Sequence, residues 1–200
     1  SVMKTAIPAG EKIHLKKISG DNDLFLYGIL GFPCMHSKSP GIYNHLFADY
    51  GMPAHYTWFE HSDPGQFLSL LPGTGVRGLS VTIPHKEAII PHLDEIKHDA
   101  ESIGAVNTVL IQDDKAYGFN TDWKGIYRPL EGTEGSSAVI LGAGGAADAA
   151  VYAVSMRGFT PVILNRSPDR AARLARKSGA EIGTLDEFGK FHPDLVINTT

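Results

Sequence analysis

Ala138-Val139-Ile140-Leu141-Gly142-Ala143-Gly144-Gly145-Ala146-Ala147 is an apolar run that breaks into a glycine turn and passes directly into an Ala-rich helical pattern. It reads as the first strand, turn and helix of a dinucleotide-binding unit. Gly142 permits a sharp turn, Gly144 lets a pyrophosphate approach the backbone, and Ala147 lets helix pack closely on strand. The helix N-terminus adds unsatisfied N–H donors for phosphate. A lone G-x-G-x-x-A is weak evidence, but here the strand before it and the helix after it supply the required context. Cofactor contacts are therefore expected at Gly142, Ala143, Gly144, Gly145 and Ala146.

Downstream residues narrow the cofactor. After Gly158 a second apolar strand, Pro161 to Leu164, leads into Asn165-Arg166-Ser167-Pro168-Asp169-Arg170. An NAD site places Asp or Glu about 20 residues beyond the glycines, on the ribose 2′-hydroxyl. This chain offers Asn165, Ser167 and two arginines instead. Arg166 and Arg170 are planar, charge-assisted donors suited to a 2′-phosphate, so NADP(H) is the expected cofactor.

Composition sets the frame. Two hundred residues, 42% hydrophobic and 20% charged, can bury one or two ordinary cores. A net charge of −4 gives no footprint for nucleic acid, and no apolar run approaches the ~20 residues needed to span a bilayer. The single Cys34 excludes an internal disulfide and agrees with a reducing compartment, so a cytoplasmic enzyme is expected, or a plastid one in a plant. Nine histidines are scattered without ligand spacing, and no metal site is expected.

Strand and helix signals alternate along the chain. Residues 1–23 are polar and read as a linker or the tail of an upstream domain. Leu24 to Gly31 reads as a buried strand, and Ser39-Pro40 as an N-cap and first helical residue of a helix ended by Gly51. His55 to Phe59 and Val76 to Ile83 read as strands, with a helix from Pro64 to Leu71 between them. Glu87 to Ile103 reads as one helix despite Pro91. A strand at Ala105 to Gln112 hairpins through Asp113-Asp114 into Ala116 to Phe119. These patterns imply an α/β protein of two domains, 24–119 and 120–200, the second of Rossmann type and incomplete at its C-terminus, with the cleft between them as the natural active site. The chain ends just after the apolar strand Leu195 to Ile197, so further C-terminal structure is expected.

Four polar segments fall where strands end or helices begin: His36-Ser37-Lys38-Ser39-Pro40, Val81-Thr82-Ile83-Pro84-His85-Lys86, Gly104-Ala105-Val106-Asn107-Thr108 and Gly118-Phe119-Asn120-Thr121-Asp122. Singly each has a bland explanation as caps, turns or solvated helix starts. In order and spacing together, they resemble the shikimate dehydrogenase family: its H-S-x-S-P, V-T-x-P-H-K, G-A-V-N-T and N-T-D. The glycine turn and Asn165-Arg166 follow family patterns too, so the resemblance runs from about Tyr27 to Thr200.

The resemblance implies an N-terminal α/β substrate-binding domain and a Rossmann-type NADP-binding domain. It also implies reversible NADPH-dependent reduction of 3-dehydroshikimate to shikimate, a step of the shikimate pathway to aromatic amino acids. Ser37 and Ser39 would hold the substrate carboxylate; Thr82, Asn107 and Asp122 the ring hydroxyls; Lys86 and Asp122 would form the catalytic pair. That pair makes independent chemical sense, since hydride addition to a ketone charges its oxygen, which needs a positioned proton donor and a stabilising cation. Three positions depart from the commonest pattern. Ser80 and Trp123 are expected to alter substrate fit, and Asp148 to weaken the electrostatics of the pyrophosphate site. Ala6 to Gly10 with Ile13 to Ile18 faintly resembles the end of a type I dehydroquinate dehydratase, which implies a fused upstream domain. The alternatives are a quinate/shikimate dehydrogenase using NAD and a non-catalytic dinucleotide-binding module.

Overall fold

The computed structural model describes residues 24–200; the linker expected over 1–23, and the dehydratase-like stretch inside it, lie outside them. Two sheets organise the described residues. The first comprises β1 (Phe25–Gly31), β2 (Ala54–Glu60), β3 (Val76–Val81), β4 (Glu95–Ile96), β5 (Thr108–Gln112) and β6 (Lys115–Phe119), in the order β2-β1-β3-β5-β6-β4. β1 is parallel to β2 and β3, whereas β5 is antiparallel to β3 and β6. The β5–β6 hairpin turns at Asp113 and Asp114, with φ of 52° and 57°, a left-handed pair that short Asp side chains tolerate.

Register decides what this sheet does. Ser80 pairs with Thr108, and Thr108 with Phe119. The C-terminal ends of β1 and β3, the start of β5 and the end of β6 therefore share one edge of the sheet. Four polar segments far apart in the chain converge there.

The second sheet is fully parallel: β7 (Ser137–Leu141), β8 (Thr160–Leu164), β9 (Glu181–Gly183) and β10 (Leu195–Asn198), in the order β10-β7-β8-β9. This is the order of a doubly wound fold's first half plus one strand, and its topological switch point lies between β7 and β10, where such sheets bind ligands. Between these strands run α6 (Gly145–Met156) and α7 (Pro168–Ser178). Ala147, Ala149, Ala150 and Ala153 of α6 are fully buried, because small side chains allow close approach to the sheet. Ile140, Ile163 and Leu174 fill the same core, each contributing about 1.5–3 kcal/mol by burial. That outweighs helix propensity differences of a few tenths of a kcal/mol per residue, so packing rather than local preference holds α6 in place.

Two expectations need correction. Ser39 is not the helix cap: α1 (Ser39–Asp49) begins at Ser39 with Lys38 as N-cap, and the Ser39 N–H donates to Ser37 Oγ at 3.2 Å. The expected helix from Glu87 to Ile103 is broken into α3 (His85–Ala88), a 3-10 turn at Ile90–His92, strand β4 and α4 (His98–Ile103). Pro91 removes a helical donor, and the sheet edge competes for the residues beyond it: the Ala116 N–H donates to Asp94 Oδ2 at 2.8 Å, and β4 pairs with β6. The expected helix from Pro64 to Leu71 is α2 (Pro64–Ser69), capped by Asp63 Oδ1, which accepts from the N–H groups of Gly65 and Gln66. Strand β9 had no distinct signal in the sequence. After Thr121 comes α5 (Asp122–Tyr127), which packs on α6.

Gly142 has φ +113°, and a Cβ there would lie 2.6 Å from Thr199 Oγ1, at the switch point. Gly142→Ala is expected to cost about 1–3 kcal/mol, read as a lower urea midpoint with unchanged m-value.

Candidate active site

Lys86 and Asp122 are 36 residues apart in the chain, yet Lys86 Nζ donates to Asp122 Oδ2 at 2.6 Å. Lys86 rides on the four-residue α3 and Asp122 opens α5. Both side chains are about a quarter to a third exposed, open to a small molecule yet held. The other carboxylate oxygen, Oδ1, accepts from Asn107 Nδ2 at 2.7 Å. That amide also donates to Thr121 Oγ1 at 2.9 Å, while its Oδ1 accepts from the Thr121 N–H at 2.9 Å and from Thr108 Oγ1 at 2.9 Å. Asn107 thus ties the start of β5 to the end of β6.

Asn120 supports this cluster from beneath. It is 1% exposed; its Nδ2 donates to the Ala105 carbonyl at 3.0 Å and its Oδ1 accepts from the Asp122 N–H at 3.0 Å. His85 is equally buried, with Nε2 2.7 Å from the His61 carbonyl, which places it as a donor fixing the start of α3 beside Lys86. The Lys86 carbonyl in turn accepts from the Val106 N–H at 2.7 Å. The sequence shows both residues inside recognised segments, but nothing in their type marks them as buried anchors.

The remaining candidates are placed less tightly. Ser37 and Ser39 meet each other, Oγ to Oγ at 3.1 Å, beyond the end of β1, and the Ser37 carbonyl accepts from Trp58 Nε1 at 3.0 Å. Thr82 follows β3, half-buried, with its N–H on the Leu30 carbonyl at 2.9 Å. Among the described residues no side-chain hydrogen bond joins these three to Lys86 or Asp122; the Thr82 carbonyl accepts from the His85 N–H at 2.9 Å, and Ser37 and Ser39 share only the sheet edge. An open cleft of about 850 Å³ on this sheet is lined by Tyr43, Tyr56, Ser80, Thr108 and Thr121 among others. Burial pushes the Tyr56 phenol up to about 12, so it stays a neutral hydroxyl there.

The glycine turn approaches from the second sheet. A Cβ on Gly145 would stand 3.7 Å from Lys86 Cδ, so the lysine stem lies along the turn. A Cβ on Gly144 would meet no protein atom, which leaves the backbone before α6 open to a diphosphate; Ala143 is buried behind it and Ala146 faces out. Asn165 Nδ2 donates to the Ser167 carbonyl at 3.0 Å, shaping the loop into α7, and Arg166 and Arg170 are exposed with no ion pair among the described residues. These groups fit a dinucleotide bearing a 2′-phosphate.

A family model of the shikimate dehydrogenase substrate binding domain matches residues 29–109. Over 182 residues the chain is 39% identical to the NADP(+) shikimate dehydrogenase of Aquifex aeolicus, covering 88% of this chain and 67% of that one. The chain belongs to the shikimate dehydrogenase family. A second such enzyme, from Oleidesulfovibrio alaskensis, is 42% identical over 88% of this chain and 64% of its own length, so the chain spans about two thirds of these curated relatives. Among solved structures, the Thermus thermophilus enzyme in complex with NADP(H) and shikimate superposes with a TM-score of 0.77 at 33% identity, covering 88% of this chain and 68% of that one.

Two departures from the family pattern resolve differently from expectation. Trp123 is turned toward α4 rather than toward a substrate: its Nε1 donates to Asp99 Oδ2 at 2.9 Å, and its ring packs edge-on against Tyr127 and Tyr152. Asp148 does not face the diphosphate position in the open; it is buried between α6 and α7, 3.6 Å from Arg173 Nη2. Ser80 lines the open cleft, which none of Ser37, Ser39, Thr82, Lys86, Asn107 and Asp122 lines.

Asn120→Ala strands the Ala105 carbonyl and the Asp122 N–H together, and is expected to cost about 2–3 kcal/mol in urea unfolding. Asn120→Asp should lose nearly as much, because the Ala105 carbonyl needs a donor.

Proposed function

We propose that the chain carries the substrate- and cofactor-binding parts of an NADP-dependent shikimate dehydrogenase, which interconverts 3-dehydroshikimate and shikimate. Residues 24–119 form the substrate unit and 120–200 the NADP unit. The observation that carries this reading is the 2.6 Å Lys86–Asp122 pair lying against the glycine turn. Ser37 and Ser39, at the start of α1, are suited to a carboxylate; Thr82, Asn107 and Asp122 to the ring hydroxyls.

Gly142 to Ala146 would hold the diphosphate of NADP and Asn165, Arg166, Ser167 and Arg170 its adenosine 2′-phosphate. Bound there, the nicotinamide supplies hydride to a ketone or accepts it from an alcohol. As the carbonyl oxygen gains charge during reduction, the Lys86 ammonium stabilises it and donates a proton to it; in the oxidation the same amine takes the hydroxyl proton. Asp122 orients that ammonium, and Asn107, bound to the opposite carboxylate oxygen, prevents Asp122 from rotating away. A cytoplasmic setting, and a dehydratase fused ahead of this unit, belong to the same reading. Among the described residues no helix is long and apolar enough to cross a membrane.

On the intact natural polypeptide, Lys86→Ala should lower kcat for shikimate oxidation by about 10²–10⁴ while KM for shikimate changes only a few-fold; equal effects on both would make Lys86 a binding group. The double change Arg166→Ala with Arg170→Ala should raise KM for NADP by roughly tenfold or more and leave KM for NAD nearly unchanged. Better turnover of the unmodified protein with NAD than with NADP overturns the cofactor assignment.

A further inference from the structure

Asp148 sits in the first turn of α6, just past the glycine turn, 4% exposed, and neither of its carboxylate oxygens has a hydrogen-bond partner. Two cations of α7 flank it, Arg173 Nη2 at 3.6 Å from Oδ2 and Lys177 Nζ at 4.0 Å from Oδ1. Both distances are beyond good hydrogen bonds, so the attraction is Coulombic. Burial pushes the Asp148 carboxyl up from its ordinary value despite the opposing pull of Lys177 and Arg173. A carboxyl whose native pKa lies above its unfolded one costs stability once pH exceeds the unfolded value, so at neutral pH this buried carboxyl weakens the fold. Its presence in a helix of buried alanines is not explained by stability.

Arg173 connects it to the site. Its Nη1 donates to both carboxylate oxygens of Glu87, at 2.9 and 2.8 Å. Glu87 neighbours Lys86 on α3, whereas Asp148 and Arg173 belong to helices over the second sheet. Lys177, one turn beyond Arg173, makes a second crossing: a Cβ on Gly104 would lie 2.6 Å from its Nζ, at the C-terminal end of α4, where helix carbonyls favour a cation. A helix of four residues cannot hold its own direction, so α3 depends on such outside ties.

We propose that Glu87 and Arg173, backed by the buried Asp148, are positioning residues that clasp α3 to the dinucleotide unit and so set where the Lys86 ammonium stands. The clasp rests on the role given to Lys86 above. Asp148 draws the guanidinium inward from the other side; without that counter-charge Arg173 is held by Glu87 alone.

The test uses Glu87→Gln, Arg173→Met, Arg173→Lys and Asp148→Asn in the intact polypeptide. Glu87→Gln, Arg173→Met and Asp148→Asn should each lower kcat for shikimate oxidation about three- to fivefold with KM for shikimate within twofold, and Arg173→Lys should recover part of the loss. Asp148→Asn should hold or raise Tm at pH 7 while kcat falls, because it removes the cost of a buried charge; the difference in Tm should vanish in acid, where Asp148 is protonated in both states. Hydrogen exchange of the Ile89 and Val106 amides, which donate to the His85 and Lys86 carbonyls, should quicken in Glu87→Gln. Unchanged kcat in all variants, a fall in Tm that parallels the fall in kcat for Asp148→Asn, or unchanged exchange in Glu87→Gln overturns the clasp. If the unmodified protein fails to oxidise shikimate, the functional reading fails by itself, and the exchange rates still decide whether α3 is clasped.

Discussion

The Asp122 carboxylate is the point through which the two halves of the site are held. One oxygen takes the Lys86 ammonium, the other the Asn107 amide, and its own N–H is anchored on the buried Asn120. Each partner comes from a different stretch of chain, so the arrangement exists only while β3, β5 and β6 keep their register. A one-residue slip of the β5–β6 hairpin would turn its side chains to the opposite face and carry Asn107 away from Asp122. The apolar residues of β3 and β5 that secure this register, Leu79, Val81 and Val109, belong to the same buried cluster. Packing of the first sheet is therefore also positioning of the Lys86 ammonium, the proposed proton donor.

The second sheet contributes an opening rather than a side chain. Gly142 is shaped by its neighbour Thr199, whereas Gly144 faces open space, and the two glycines do different things although they read alike in the motif. The first lets the chain turn inside a packed switch point; the second keeps backbone donors accessible. Lys86 lies along this turn, which brings its side chain and the proposed place of the cofactor together without any long loop between them.

Much of this was legible in the chain. Alternating apolar strands and amphipathic helices gave the two-domain α/β plan, and the Asp113-Asp114 hairpin was visible because short acidic residues tolerate the left-handed region. What misled was local preference where tertiary partners outweigh it. The stretch after Glu87 looked helical because its apolar spacing suits a helix, but Pro91 interrupts the donors and Glu95 and Ile96 find a strand partner in β6. Ser39 looked like a cap because its type favours one, yet Ser37 already takes its N–H. Trp123 and Asp148 looked like residues of the binding surface because a motif specifies sequence neighbours and not the direction in which a side chain points.

The amino-acid sequence by itself determined the dinucleotide turn and the missing acidic residue after the second strand of that unit, whereas the pairing of Lys86 with Asp122 was implied only by the family resemblance of their segments. These rest on short-range constraints: a glycine's backbone freedom, a strand's length, the charge at a helix start. Only the tertiary structure decided that Lys86 and Asp122 meet, that Asn120 and His85 are the buried supports beneath them, and that Asp148 faces Arg173 and Lys177 instead of solvent. Those facts depend on sheet register and on which helix face is covered, and both are settled by burial across segments that no local pattern relates to one another.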